Sequence, residues 1–214
     1  MVIDLVYFSG DQTKAYNEVV SNLKLSGIDL SEKKLSKKPS RQASLLSIIG
    51  KAGTGKTLLI AKLFEALKSS GVNIITGDYE SKKLRTERSL SVLAPTNKAA
   101  SVLRSKGVPA TTLHRILYTP IYDPEYEKIA EWLLGNSARP ENENFEKSIL
   151  DRIFEFYDIN KSIPGALASA GLKGSDFIKG WKRREEPLDV GFVDEASMLD
   201  DQQFEDLKKI FSNL

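Results

Sequence analysis

Gly50-Lys51-Ala52-Gly53-Thr54-Gly55-Lys56-Thr57 has the spacing G-x-x-x-x-G-K-[ST], and each residue type in it has a chemical use. The glycines let the backbone turn so that successive N–H groups face one phosphate, and a helix starting there adds its positive end. Lys56 reaches the β- and γ-phosphates as a point charge, and the Thr57 hydroxyl suits a Mg²⁺ ion. Gly50, Ala52, Gly53, Thr54, Gly55, Lys56 and Thr57 are therefore the expected ATP contacts. The pattern arises by chance in roughly one chain in a hundred of this length. Here an apolar run precedes it and an amphipathic run follows, which is the setting a phosphate loop requires.

Such a loop needs a carboxylate at the end of a neighbouring strand to hold the Mg²⁺ shell, and a base to orient water. Phe192-Val193-Asp194-Glu195 offers both. Asp194 is expected to engage the metal, and Glu195 to polarise water for in-line attack on the γ-phosphate. Lys56, Asp194 and Glu195 form the expected catalytic set. Two acids opening a helix would also favour its dipole, so the pair gains meaning only beside the loop.

The elements that must position these residues read as βα repetition. Leu45–Ile49 is a short apolar run suited to a buried parallel strand, and Leu59, Ile60, Leu63, Phe64 and Leu67 stripe the helix after the loop. Gly71 is placed to end that helix. Val72–Thr76, Leu90–Ala94 and Asp189–Val193 read as further strands, Lys98–Ser105 as a short helix stopped at Gly107, and Gln202–Phe211 as a closing helix. Upstream, 9–25 is an amphipathic helix with Tyr16, Val19, Val20 and Leu23 on one face, and Ser9 with Gln12 forms a capping box. From Ser31 to Arg41 the chain is polar and basic (Lys33, Lys34, Lys37, Lys38, Arg41, with Pro39) and reads as a solvated loop. Alternation of this kind predicts an α/β domain, a parallel sheet covered by helices on both faces. Residues 118–187 break the rhythm: two helical stretches, Glu125–Leu134 and Asn144–Tyr157, suggest a helical insertion, the second with Phe145, Ile149, Ile153 and Phe156 on its apolar face.

The chain has 214 residues, 41% hydrophobic and 28% charged, which fits one domain, or one domain carrying an insertion. It has no cysteine, which excludes disulfides, thiolate metal sites and cysteine nucleophiles, and its one histidine, His114, leaves little room for a histidine metal site. The net charge of +2 says nothing by itself about nucleic acid. No apolar run nears the ~20 residues that span a bilayer. The amino terminus lacks the form of a signal peptide, so the cytoplasm is the expected compartment.

The stretches between these elements carry a family resemblance. Leu93-Ala94-Pro95-Thr96-Asn97-Lys98-Ala99-Ala100, Thr111-Thr112-Leu113-His114-Arg115-Ile116-Leu117 and Val193-Asp194-Glu195-Ala196-Ser197-Met198-Leu199, with the Gln12 helix and the phosphate loop, resemble motifs Q, I, Ia, Ib and II of superfamily-one DNA helicases. Asp-Glu-Ala-Ser-Met is more similar to the RecD-like branch than to the UvrD-like one. The likeness runs from about Gly10 to Asp200, outside the insertion. It implies a RecA-like P-loop fold and 5′-to-3′ stepping along single-stranded DNA. It assigns Gln12 to the adenine edge, Thr96 and Lys98 to the DNA backbone, and Thr112 to His114 to the strand-binding surface. It also implies a second RecA-like domain and subunits of a recombination or repair complex as partners. Gln12 and Thr96 have second readings, as parts of helix caps.

A member of that family continues past the Asp-Glu helix into a nucleotide-sensing strand and a second domain that supplies arginines, worth 10³–10⁵ in rate. These 214 residues hold none of that. The chain alone is thus expected to bind nucleotide better than it hydrolyses it, and not to unwind DNA. Two rivals remain. One is another P-loop ATPase of the AAA+ type, which also ends a strand in Asp-Glu; the other is a nucleotide-gated DNA-binding or partner-docking module.

Overall fold

Residues 8–36, 44–77, 88–141 and 146–214 are described by a computed structural model. They divide into two units, one built from the chain up to Leu117 together with Arg183–Leu214, the other from Tyr118–Lys182.

In the first unit, helix α1 (Gly10–Leu25) starts at a capping box closed in both directions by Ser9 and Gln12, and turns Val19 and Leu23 into the core. It runs into a hairpin of β1 (Ile28–Asp29) and β2 (Lys34–Leu35). The reading of a plain loop from Ser31 onward is corrected at this point. Asp29 Oδ1 accepts from the N–H groups of Ser31 (3.0 Å) and Glu32 (3.1 Å), closing a tight turn, while Lys33 and Lys34 stay exposed. Lys37, Lys38, Pro39 and Arg41 lie outside the described residues.

Helix α2 (Lys56–Ser69) buries Leu59, Leu63, Phe64 and Leu67 of the predicted stripe, each contributing about 1.5–3 kcal/mol of apolar transfer, while Ile60 is half-buried against the same core. Ser70 closes it and Gly71 follows at φ +85°, the left-handed conformation a helix stop favours. Strands β3 (Asn73–Ile74) and β4 (Ser89–Ala94) come next, then α3 (Asn97–Ser105), β5 (Thr111–Thr112) and the short α4 (Leu113–Leu117). After the second unit the chain returns as β8 (Leu188–Val193), α8 (Asp201–Ile210) and β9 (Phe211–Asn213). The sheet runs β3-β4-β8-β9, with β5 also beside β4, and every pairing is parallel. All six residues of β4 are buried, as a strand flanked on both sides and covered on both faces must be. The α/β class holds: a mostly parallel sheet with helices packed on it.

Two details differ from expectation. The closing helix ends at Ile210, and Phe211 begins β9, which pairs Leu188 with Phe211 and Val190 with Asn213. The run Leu45–Ile49 is not a buried strand. Only its start is paired, through the Ser44–Asn213 bridge and Leu46 N–H donating to the Leu214 carbonyl (2.7 Å). Leu46 packs on the core, whereas Leu45 and Ile49 are 58% and 93% exposed. Among the described residues no strand pairs with the other side of this run, so its apolar side chains lack the cover that apolar runs usually signal.

The second unit has its own core of Ile129, Leu133, Leu150, Ile153, Ala166, Leu167 and Phe177. Its helices are α5 (Pro124–Leu133), α6 (Lys147–Asn160) and α7 (Ile163–Ser169). An antiparallel ribbon of β6 (Tyr118–Tyr122) and β7 (Ile178–Arg183) carries them, a feature the helical reading lacked. Asp123 caps α5 through the Glu125 N–H and pairs with Lys179, and these two contacts hold its carboxyl below the usual range. Ile153 is buried as the pattern required, and Leu150 joins it, while Phe145 lies outside the described residues.

Candidate phosphate and metal site

The Gly50–Thr57 segment leaves the sheet edge and turns directly into α2. Gly53 and Gly55 adopt φ +82° and +84°, conformations that would strain any other residue. Thr54 Oγ1 donates to the Lys51 carbonyl (2.9 Å), which braces the turn, and Ala52 is exposed on its outside. Gly55 is the N-cap of α2 and, having no side chain, gives the helix no side-chain cap. The N–H groups of Lys56, Thr57 and Leu58 thus have no acceptor within the helix, which is the condition for holding an anion. Lys56 Nζ donates to the carbonyls of Gly50 (2.7 Å) and Lys51 (3.0 Å), so its charge lies over the loop.

Asp194 stands at the carboxyl end of β8, where its own N–H donates to the Leu93 carbonyl of β4 (2.9 Å) and extends the ladder by one step. Its Oδ1 accepts from the Glu195 N–H (3.0 Å), and its Oδ2 accepts from Thr57 Oγ1 at 3.4 Å. The fold therefore joins a hydroxyl of the phosphate loop to a strand-end carboxylate 137 residues away. One hydroxyl and one carboxylate are hard oxygen donors of the number Mg²⁺ uses when phosphate and water complete its shell, so these residues fit the ion. Glu195 is exposed beside them and has φ +55°. A non-glycine residue held there carries strain of about 1–2 kcal/mol, a cost that tends to gather at functional positions. A 3-10 turn, Ala196–Met198, follows it.

Gln12 meets the loop from α1. Its Nε2 donates to the Thr54 carbonyl at 2.8 Å, while its Oε1 accepts from the Ser9 N–H at 2.9 Å. The capping reading is thus realised, together with a contact that the sequence did not reveal. Thr96 caps α3, its hydroxyl oxygen accepting from the Ala99 N–H (3.1 Å), and Lys98 is exposed within the first turn. Thr112 is half-buried opposite Ala94 in the β4–β5 pairing, and His114 is exposed on α4. These four residues lie at or just after the carboxyl ends of two adjacent strands, while Lys56, Thr57, Asp194 and Glu195 gather at the phosphate loop.

A buried pair that the sequence gave no sign of lies at the other end of the sheet. Arg88 is bonded through Nε to Asp189, the two side chains being 3% and 2% exposed. Arg88 also donates to the carbonyls of Ser26 (2.9 Å) and Ser36 (3.1 Å), tying the end of α1 and the hairpin to the sheet. Position 88 closes a polar stretch, and nothing in its spacing points to Asp189.

No helix among the described residues is long and apolar enough to cross a membrane. No curated protein and no solved structure matches the chain. Residues 37–213 match the model of an AAA domain family, a span that takes in the phosphate loop and Asp194-Glu195 and leaves α1 outside. With that match over most of its length, the chain belongs to this AAA domain family, a helicase-related group of nucleotide-hydrolysing P-loop ATPases.

Proposed function

We propose that the chain is the ATP-binding RecA-like domain of a RecD-like, 5′-to-3′ DNA helicase, and that ATP hydrolysis drives its movement along single-stranded DNA. The observation that carries the ATPase part is the Thr57–Asp194 contact. Mg²⁺ held between these groups would neutralise phosphate charge. Lys56, now resting on loop carbonyls, exchanges them for the β- and γ-phosphate oxygens. Glu195 accepts a proton from water as that water attacks the γ-phosphorus in line, and the bond to the β-bridging oxygen breaks to give ADP and phosphate.

The DNA part is supported by Thr96, Lys98, Thr112 and His114 sharing the carboxyl edge of β4 and β5, the edge where open α/β sheets bind ligands. Thr96 remains able to serve while capping α3. Its oxygen accepts from Ala99, and its hydroxyl hydrogen is still available to donate to a phosphate. Lys98 supplies a mobile charge to the same backbone. A second RecA-like domain and partners from a recombination or repair complex belong to this reading as well.

The test is nucleotide hydrolysis and oligonucleotide binding, with wild type and Lys98→Ala compared across a salt series. Single-stranded DNA is expected to stimulate turnover. Lys98→Ala is expected to weaken DNA binding and make its salt dependence shallower by about 0.7, with ATP affinity unchanged. Hydrolysis indifferent to DNA would leave an AAA-type ATPase of another kind. Nucleotide-dependent DNA binding without turnover would leave a gated binding module.

A further inference from the structure

We propose that Gln12 is a positioning residue for the phosphate loop: it orients the peptide between Thr54 and Gly55 for phosphate binding, whatever base the nucleotide carries. The proposal rests on the reading of Gly50–Thr57 as the nucleotide site.

The Gln12 amide is fixed at both ends. Its oxygen accepts from the Ser9 N–H and its nitrogen donates to the Thr54 carbonyl, 42 residues away in sequence. Reversing the amide would set donor against donor at Ser9 and acceptor against acceptor at Thr54, so the pair of contacts defines its orientation. The backbone that carries Gln12 is equally fixed, because the capping box starts α1 there and Val19 and Leu23 anchor the helix in the core.

The group that Gln12 holds sits beside the two left-handed glycines of the loop. The Thr54–Gly55 peptide has glycine on one side and Gly53 one residue back, both left-handed, and glycine rotates there with little resistance. A trans peptide is planar, with its C=O and the following N–H pointing in opposite directions. Holding the Thr54 carbonyl toward α1 therefore sends the Gly55 N–H away from α1, and stops the peptide from turning over. Contact is also close enough that a Cβ on Gly55 would overlap the Gln12 amide nitrogen, so a side chain there would push the Gln12 amide off the loop.

An adenine contact and a loop contact make different forecasts for ligands without adenine. The experiment is calorimetric titration of the 214-residue chain with Mg²⁺ and ATP, GTP or inorganic tripolyphosphate, for wild type, Gln12→Ala and Ser9→Ala. Ser9→Ala removes the hydroxyl that caps α1 but leaves the Gln12 nitrogen on Thr54. Loss of one hydrogen bond of ordinary strength should weaken every ligand that wild type binds by about the same factor, about five- to tenfold, in Gln12→Ala. Ser9→Ala should leave those affinities unchanged while lowering the melting temperature about as much as Gln12→Ala does. A Gln12→Ala loss confined to ATP overturns the proposal in favour of base contact alone. Equal losses in Ser9→Ala overturn it in favour of a general effect of α1. Wild type that binds none of the three ligands overturns the nucleotide reading itself, which is a separate result.

Discussion

Replacing Arg88 by methionine should cost the fold more than any surface change, and the structure allows the size to be worked out. The substitution keeps most of the side-chain volume and removes the charge. Asp189, 2% exposed, would then hold a buried carboxylate with no cation, and cutting one partner from such a pair costs about 3–5 kcal/mol. The carbonyls of Ser26 and Ser36 each lose a donor, which adds about 1 kcal/mol or more. Asn213 Nδ2 donates to Asp189 Oδ1 at 3.0 Å with or without Arg88, so the loss is roughly 4–6 kcal/mol. A domain has about 5–15 kcal/mol in total, so the variant should sit near its folding threshold. Arg88→Met combined with Asp189→Leu removes both charges and should recover at least half of the loss, because only hydrogen bonds are then missing. Urea denaturation followed by circular dichroism measures both variants. A single variant within about 1 kcal/mol of wild type, or a double variant no better than the single, would refute the reasoning.

Two further outcomes concern the phosphate site. Lys56→Ala should weaken ATP binding by at least about a hundredfold while leaving the melting temperature nearly unchanged, since its partners are loop carbonyls at the surface; an equal loss of stability without nucleotide would make it a structural lysine. Glu195→Gln should retain Mg·ATP binding and lose hydrolysis, whereas Asp194→Asn should blunt the response of binding to Mg²⁺; equal loss of affinity in both would erase the division of roles.

The shape of the candidate phosphate loop was legible because phosphate chemistry restricts residue type at fixed spacing. Gly53 and Gly55 must take left-handed φ, Lys56 and Thr57 must open a helix, and an apolar strand must deliver Asp194 to the same end of the sheet. Amphipathic stripes located α2 and α1 for a similar reason, since burial repeats at the period of the helix. What stayed hidden depends on partners far apart in sequence. The ribbon of Tyr118–Tyr122 with Ile178–Arg183 has no alternation strong enough to announce either strand alone. Phe211 continues the apolar face of α8 in sequence, and only its pairing with Leu188 makes it a strand. Leu45–Ile49 misled in the opposite sense: its composition promised cover on both sides, and the fold pairs one side at its first residues only. Arg88 and Asp189 looked like ordinary charges until the sheet enclosed them.

The chain leaves the first unit after Leu117 and re-enters it at Arg183, and the Arg184 N–H donates to the Leu117 carbonyl at 2.7 Å. Departure and return are thus joined at the base of the β6–β7 ribbon. Seen from the ATPase, everything from Tyr118 to Lys182 is one closed loop, and the entropy of closing a loop grows only as the logarithm of its length, about 0.6 kcal/mol for each doubling. Since that excursion also has its own apolar core, its size is nearly decoupled from the stability of the machinery it hangs from. Evolution can lengthen, trim or exchange such a module while Lys56, Thr57 and Asp194 keep their places, which makes this the natural position for lineage-specific change.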